Sequence, residues 1–289
     1  MTHTETENGD WEIHAIRYAV NPTRTRGQNF ILEASPAEPL TLDFYSWVLM
    51  RGDEVIVVDT GMDPAKAEHH GHTMLVNPVD ALRSLGVDPE AVTTVILTHA
   101  HYDHTGHLKA FPNAQFHMQA EEMAFITGPF MARPWFRRAY EVDEILTLVE
   151  LLHAGRLTLH GREETIADGV TVHWVGGHAA GQEIITVATR RGTVVLASDA
   201  LHYYEEYERG VPFAIVVSSA DMIAGHDTIR RLAASDDHVV PAHDPRVAEL
   251  YPPSRPDLAG QVMRLDLPPA LSLTPSSTPA APGKGRPAR

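Results

Sequence analysis

Val95-Ile96-Leu97-Thr98-His99-Ala100-His101-Tyr102-Asp103-His104-Thr105-Gly106 decides what this chain is. Its three leading apolar residues have the character of a short buried strand. Four potential metal ligands then fall within six residues: His99, His101, Asp103 and His104. All offer imidazole nitrogen or carboxylate oxygen, the donor set that suits zinc and its neighbours in the first transition row. On an extended segment His99, His101 and Asp103 share one side, and His104 points elsewhere. One turn with two liganding faces favours two ions over one. The bland alternative is a solvated loop in which Asp103 or Thr105 caps a helix. A lone His-x-His fits that alternative, and the full set directly after an apolar strand favours metal.

Composition narrows the chemistry further. The 289 residues include no cysteine, which excludes disulfides, thiolate ligands and a Cys nucleophile. Structural zinc sites are normally closed and rich in Cys, so a Cys-free site points to an open, catalytic one. Histidine is abundant instead, with 18 in the chain. The formal net charge is −15, and Arg133-Pro134-Trp135-Phe136-Arg137-Arg138 is the nearest approach to a basic cluster. That disfavours a nucleic-acid partner. No window approaches the ~18 apolar residues of a membrane span. Met1 to Asp10 is polar and acidic, unlike a secretory signal, so a cytoplasmic location is expected.

Outward from the histidine loop, the patterning is mixed α/β. Strands are predicted at Trp11–Val20, Ser46–Met50 and Val55–Asp59, the last two joined by a turn at Arg51-Gly52-Asp53-Glu54. Asn77-Pro78 predicts a helix start, with Val79, Leu82 and Leu85 on one face and Gly86 as its stop. After the loop come a helix at Thr105–Ala110 and a strand at Gln115–Met118. Residues 120–153 form an inserted, irregular helical region rich in Phe, Met and Trp. Strands follow at Gly155–Leu159, Val170–Val175, Glu183–Thr189 and Thr193–Ala197, then a helix at Ala220–Ala234 and a strand at His238–Pro241. Two sheets between helices is the architecture this order suggests. Residues 1–253 are expected to make one domain, with 120–153 near its pocket. Residues 254–289 are Pro, Ser and Ala rich and are expected to be a disordered tail.

The sequence resembles the metallo-β-lactamase superfamily, and within it the N-acyl homoserine lactonase-like hydrolases. Besides the histidine loop, the resemblance rests on Val58-Asp59-Thr60-Gly61, Gly176-Gly177-His178, Ser198-Asp199 and Ala242-His243-Asp244, in that order. It spans roughly Tyr18 to Pro253 and implies an αββα sandwich. It also implies that His99, His101 and His178 bind one divalent ion, that Asp103, His104 and His243 bind a second, and that Asp199 bridges them. Asp59 would support the loop from behind. Zinc stands first among the ions. A carboxylate can bridge because it has two oxygens, and lactam-cleaving members often carry Cys at that position.

A dinuclear site would lower the pKa of a shared water from ~15.7 toward ~7 and so provide hydroxide to attack a carbonyl. Asp103 is the candidate for proton handling. Related lactonases place a Tyr three residues after the bridging Asp. Here Asp199-Ala200-Leu201-His202-Tyr203 puts His202 at that place, with Tyr203 one step on. Either could assist at the carbonyl. The substrate wall is expected from Met123, Phe125, Phe130, Met131, Trp135 and Phe136, and from the N-terminal stretch to Trp47. His69-His70-Gly71-His72 is expected to be an exposed loop. The inserted helices could also pair two copies of the chain.

The leading expectation is a dinuclear hydrolase of a lactone or related small ester. A glyoxalase II-type thioesterase is the alternative, disfavoured by a C-terminal region poor in basic residues. A mononuclear-iron persulfide dioxygenase would leave Asp103 and His243 idle. A regulatory protein with a dead metal centre would usually have lost a ligand.

Overall fold

A computed structural model of the chain describes residues 10–271. Among these described residues, thirteen strands form two sheets. They are β1 (Glu12–Asn21), β2 (Leu42–Arg51), β3 (Glu54–Val58), β4 (Thr73–Met74), β5 (Thr94–Ile96), β6 (Gln115–Gln119), β7 (Leu157–His160), β8 (Glu163–Ala167), β9 (Val170–Trp174), β10 (Glu183–Thr189), β11 (Gly192–Ser198), β12 (Val239–Pro241) and β13 (Val262–Arg264). The larger sheet runs β13-β1-β2-β3-β5-β6-β7, with β4 attached to β1, and the smaller runs β12-β11-β10-β9-β8.

Alternation of side chains along the strands creates three apolar layers. Ile13, Trp47, Val58 and Ile96 face Val172, Ile185, Leu196 and Val240 between the sheets. Their chain neighbours Val48, Val57 and Val95 point the other way, against Ala67, Leu82 and Leu148 of the outer helices. Ile184, Val195 and Ala197 pack under Ile229 of the helix Ser219–Leu232 on the far side. The result is helix, sheet, sheet, helix, as expected from the element order.

Direction matters more than layering for function. β3 and β5 run parallel and adjacent, as do β11 and β12. β9 and β11 both pair antiparallel with β10 and so share one direction. The loops leaving β3 and β5 carry Asp59 and the histidine loop, and those leaving β9, β11 and β12 carry His178, Asp199 and His243. Five loops thus supply the site from strand ends, while the sheets fix their spacing.

Several boundaries differ from expectation. The helix expected at Thr105–Ala110 begins earlier, at Tyr102, and stops at Thr105. Gly106 breaks it: a Cβ there would lie 2.4 Å from the Asp63 nitrogen, so the chain passes against Met62-Asp63 instead of coiling on. A short 3₁₀ turn, Leu108–Ala110, follows. The strand β8 is an addition that the polar, exposed text of 163–167 did not signal. The expected tail at 254–289 is corrected in part. Residues 262–264 close the edge of the large sheet against β1, and the Pro253–Met263 bridge holds the return. Val262 and Met263 bury their side chains there, which a composition rule could not register. Residues 272–289 lie outside the described residues, as do 1–9. Residues 120–153 are helical as expected, in four short segments. No described helix is long and apolar enough to cross a membrane.

Candidate metal centre

His99 leaves β5 on a loop, and His101 caps a single helical turn, Tyr102–Thr105, that carries Asp103 and His104 inward. The Tyr18 hydroxyl donates to the Asp103 carbonyl at 2.6 Å and pins that turn. His178 follows two glycines in left-handed conformation. Gly177 has room for no side chain, because a Cβ would sit 2.5 Å from the Met222 backbone. Asp199 follows Ser198, whose φ is 45°, a strained value for a residue with a Cβ. Asp59, at φ 59°, is strained in the same way.

The seven expected ligands converge. Among the described residues, His99, His101 and His178 form one group whose ligand atoms lie within 4.8 Å of one another, and Asp103, His104, Asp199 and His243 form another. The Asp199 carboxylate touches both groups. Its Oδ1 lies 3.2 Å from His104 Nε2 and 3.1 Å from His243 Nε2, and its Oδ2 lies 3.2 Å from His178 Nε2, 3.2 Å from His243 Nε2 and 4.0 Å from His99 Nε2. A third grouping, His178, Asp199 and His202, overlaps both.

Hydrogen bonds behind the rings fix which nitrogen faces the centre. Asp59 Oδ2 lies 2.7 Å from His104 Nδ1, so that nitrogen carries the proton and Nε2 is left as a donor atom. The same oxygen accepts from Thr98 Oγ1 at 2.8 Å. With its proton spent there, Thr98 Oγ1 accepts from Ser198 Oγ at 2.7 Å and from His99 Nδ1 at 3.2 Å. His99 therefore also presents a bare Nε2. His243 Nδ1 donates to the Asp43 carbonyl at 2.6 Å, which turns Nε2 toward Asp199. The Nε2 atoms of His99 and His104 are buried without a hydrogen-bond partner. Buried lone pairs normally find partners, and bare imidazole nitrogens ringed by carboxylates fit a divalent cation.

Electrostatics agree with that fit. Burial, reinforced by neighbouring imidazoles, holds His99 and His178 well below the usual histidine range, and burial brings His101 down to about 4. These rings are neutral, the form that binds metal. Burial alone would push the Asp103 and Asp199 carboxyls up, yet the surrounding imidazoles outweigh it and hold both well below the usual carboxylate range. His104 goes the other way: burial opposes its proton, but Asp103, Asp59 and Asp199 together raise it well above its ordinary value. Three carboxylates around one ring mark a pocket that calls for positive charge.

The centre floors a cleft of about 40 Å³ lined by Arg24, Leu42, Phe44, His72, His101, Tyr102, Asp103, Ala139, His178, Asp199, His202, Phe213, Ile215 and His243. His202 belongs to it. Its ring stacks on Phe213 at 3.6 Å, its Nε2 is 3.1 Å from Asp199 Oδ2, and burial brings it down to about 4. Tyr203, expected as an equal candidate, does not line the cleft. Its hydroxyl donates to the Thr41 carbonyl at 3.0 Å and accepts from Asn29 Nδ2 at 2.8 Å. One step of chain turns the adjacent ring away and into the core.

The walls need two corrections. The inserted aromatics form their own cluster, with Phe125, Phe130 and Phe136 centroids 5.2–5.7 Å apart, and Trp135 is 56% exposed. From the insertion only Ala139 lines the cleft, although Tyr140 packs its ring 4.5 Å from that of His101. Leu42 and Phe44, within the expected N-terminal stretch, do line it, and Phe213 and Ile215 supply the rest from a loop without periodic signal. His72 is the second correction. It is buried, and its Nε2 lies 2.8 Å from the Tyr102 hydroxyl. The turn after helix Pro64–His69 folds it inward, while His69 stays outside.

Comparison with known proteins follows the same lines. Residues 40–246 match the metallo-beta-lactamase superfamily. The chain is 26% identical over 195 residues to the N-acyl homoserine lactonase AiiA of Bacillus thuringiensis subsp. kurstaki, covering 62% of this chain and 72% of the relative. It is 27% identical over 172 residues to the N-acyl homoserine lactonase AttM of Rhizobium radiobacter, covering 58% and 64%. A crystal structure of a quorum-quenching N-acyl homoserine lactone lactonase superposes with a TM-score of 0.68 at 20% identity, over 82% of this chain and 93% of that one. AidC, a dizinc quorum-quenching lactonase, superposes at 0.64 and 14% identity, over 83% and 90%. These likenesses establish the fold.

Proposed function

The chain belongs to the metallo-beta-lactamase superfamily, and from that premise we propose that it is a metal-dependent hydrolase that opens a lactone or related small carboxylic ester, using two divalent cations. The observation that carries this reading is the contact of the one Asp199 carboxylate with histidines of both ligand groups. His99, His101 and His178 would hold one cation, Asp103, His104 and His243 the other, and Asp199 would bridge them. The all N/O donor set makes zinc the first choice. The lactonase relatives supply the substrate class.

Divalent cations held by these residues would supply Lewis acidity and lower the pKa of a bound water. The protein's own part is positional. Asp103, ionised and facing the cleft, accepts the proton released as water adds to the carbonyl and returns it to the leaving alkoxide. His202 holds a ring nitrogen beside Asp199 where the related lactonases place a tyrosine, and it donates to the carbonyl oxygen as charge develops. Leu42, Phe44, Phe213 and Ile215 exclude bulk water. A mononuclear oxygenase would have no use for Asp103 and His243, both gathered into the second group.

A panel of lactones, aryl esters, thioesters and a cephalosporin, assayed with metal content on the same sample, tests the proposal. Turnover of lactones or esters with about two metals per chain is expected. Activity on thioesters alone would overturn the substrate class.

A further inference from the structure

Two hydrogen-bond donors in the cleft have no acceptor among the described residues. The Asn21 Oδ1 atom accepts from the Thr23 backbone nitrogen at 3.1 Å and from Thr23 Oγ1 at 2.9 Å, which identifies it as the amide oxygen. The amide nitrogen of Asn21 therefore faces His72 Nδ1, at 3.1 Å, and that ring nitrogen must be the acceptor. His72 then carries its proton on Nε2 and donates it to the Tyr102 hydroxyl, 2.8 Å away. With His72 as donor, the Tyr102 proton has to point elsewhere, and His72 is its sole hydrogen-bond partner among the described residues. Tyr102 is held rigid by a ring stack on His70, at 3.9 Å and 5°, and by its backbone nitrogen donating to the Ala139 carbonyl at 3.0 Å.

Arg24 is the second donor. Nε donates to Asn29 Oδ1 at 2.8 Å and Nη2 to the Gln28 carbonyl at 2.9 Å, which leaves Nη1 free. Both acceptors are neutral. Asp103, which also lines the cleft, favours the Arg24 charge electrostatically but makes no hydrogen bond to it among the described residues, while Glu33 and Glu205 are engaged by Arg26 and Arg209. Asn29, which grips Arg24, is itself fixed by Tyr203 and by the Leu40 carbonyl. Each donor is thus buttressed from behind and unmatched in front, and both Tyr102 and Arg24 line the cleft.

We propose that Tyr102 and Arg24 form a second subsite, which binds an acceptor oxygen of the substrate other than that of the bond being cut. The substrate then carries, beyond its lactone or ester, a carbonyl or carboxylate oxygen within reach of both donors. An amide and a second carboxylate share this acceptor chemistry. The inference rests on the hydrolase reading for the position of the scissile group, and on the hydrogen-bond network for the subsite itself.

Binding of ring-opened products to the metal-loaded protein tests it without turnover. Three γ-hydroxy acids serve as probes in calorimetry: 4-hydroxybutyrate, with no extra acceptor; N-hexanoyl-L-homoserine, with an amide; and 2-hydroxyglutarate, with a second carboxylate. Wild-type protein should bind at least one of the last two about tenfold more tightly than 4-hydroxybutyrate. Preference for the amide or the carboxylate identifies the source of the oxygen. In Tyr102→Phe and in Arg24→Met that ratio should fall several-fold, with metal content measured on the same samples. Arg24→Lys, which keeps the charge without the forked geometry, should restore it in part. Equal wild-type affinity for all three probes, or ratios unchanged in both variants, overturns the subsite. Failure to hydrolyse any ester would overturn the proposed reaction while leaving this binding ratio intact.

Discussion

One oxygen of Asp59 touches both halves of the centre: Oδ2 lies 2.7 Å from His104 Nδ1 and 2.8 Å from the Thr98 hydroxyl that bonds His99. A residue at positive φ, outside both ligand groups, thereby sets the tautomer of one histidine in each. Asp59→Asn can still fill the space, but its amide offers a donor where an acceptor is required. Metal affinity should fall about 10–100-fold, the usual effect of losing such a supporting carboxylate. Competition with a fluorescent chelator measures it, and an unchanged affinity would show that the tautomers are set some other way.

His202 and Tyr203 are neighbours with opposite assignments. His202→Phe keeps the stack on Phe213 and removes the ring nitrogen beside Asp199. Its kcat should fall by roughly 10² while KM changes little. Tyr203→Phe removes a hydroxyl that bonds Thr41 and Asn29, and should cost about 1 kcal/mol of stability with kcat nearly unchanged. Steady-state kinetics and urea unfolding of the two variants separate the roles. The reverse pattern would reassign them.

Acid sensitivity should come partly from His226, away from the cleft. Burial pulls it down to about 4, more than the Ala200 backbone offsets, with Arg230 adding to the shift and Asp227 opposing it. Glu206 Oε2 lies 3.9 Å from His226 Nε2. The unfolded chain takes up this proton near pH 6.5 and the folded chain resists until about 4. The resulting stability is fully present above pH 6.5 and is lost as pH falls toward 4, by at most about 3 kcal/mol. His226→Leu should therefore unfold with a flatter pH dependence between 7 and 4.5 in urea titrations. A slope equal to wild type would remove His226 from the account.

The candidate ligand positions stand out in the sequence because they follow the ends of β5, β9, β11 and β12 within a few residues, in short, dense signatures. Val95-Ile96-Leu97 announced β5, and Asn77-Pro78 announced its helix, with Asn77 Oδ1 accepting from the Val79 nitrogen at 2.9 Å. Such features depend on neighbours in sequence. The features that were missed depend on distant ones. His72 is drawn inward by Asn21 and Tyr102, and Phe213 acquires its role only by stacking on His202. β13 is polar in context and becomes a strand because β1 needs an edge partner. Tyr203 and His202 differ by one residue in sequence, and only the turn geometry sends one ring into the cleft and the other into the core.

The central claim is a two-ion centre bridged by Asp199, and metal stoichiometry tests it most directly. Mass-spectrometric metal analysis of purified protein, alongside Asp199→Ala, should give about two divalent ions per wild-type chain and one or fewer in the variant. Hydrolysis of lactones should fall at least ~10²-fold in parallel. Two ions retained in Asp199→Ala, with its hydrolytic activity intact, would contradict the account.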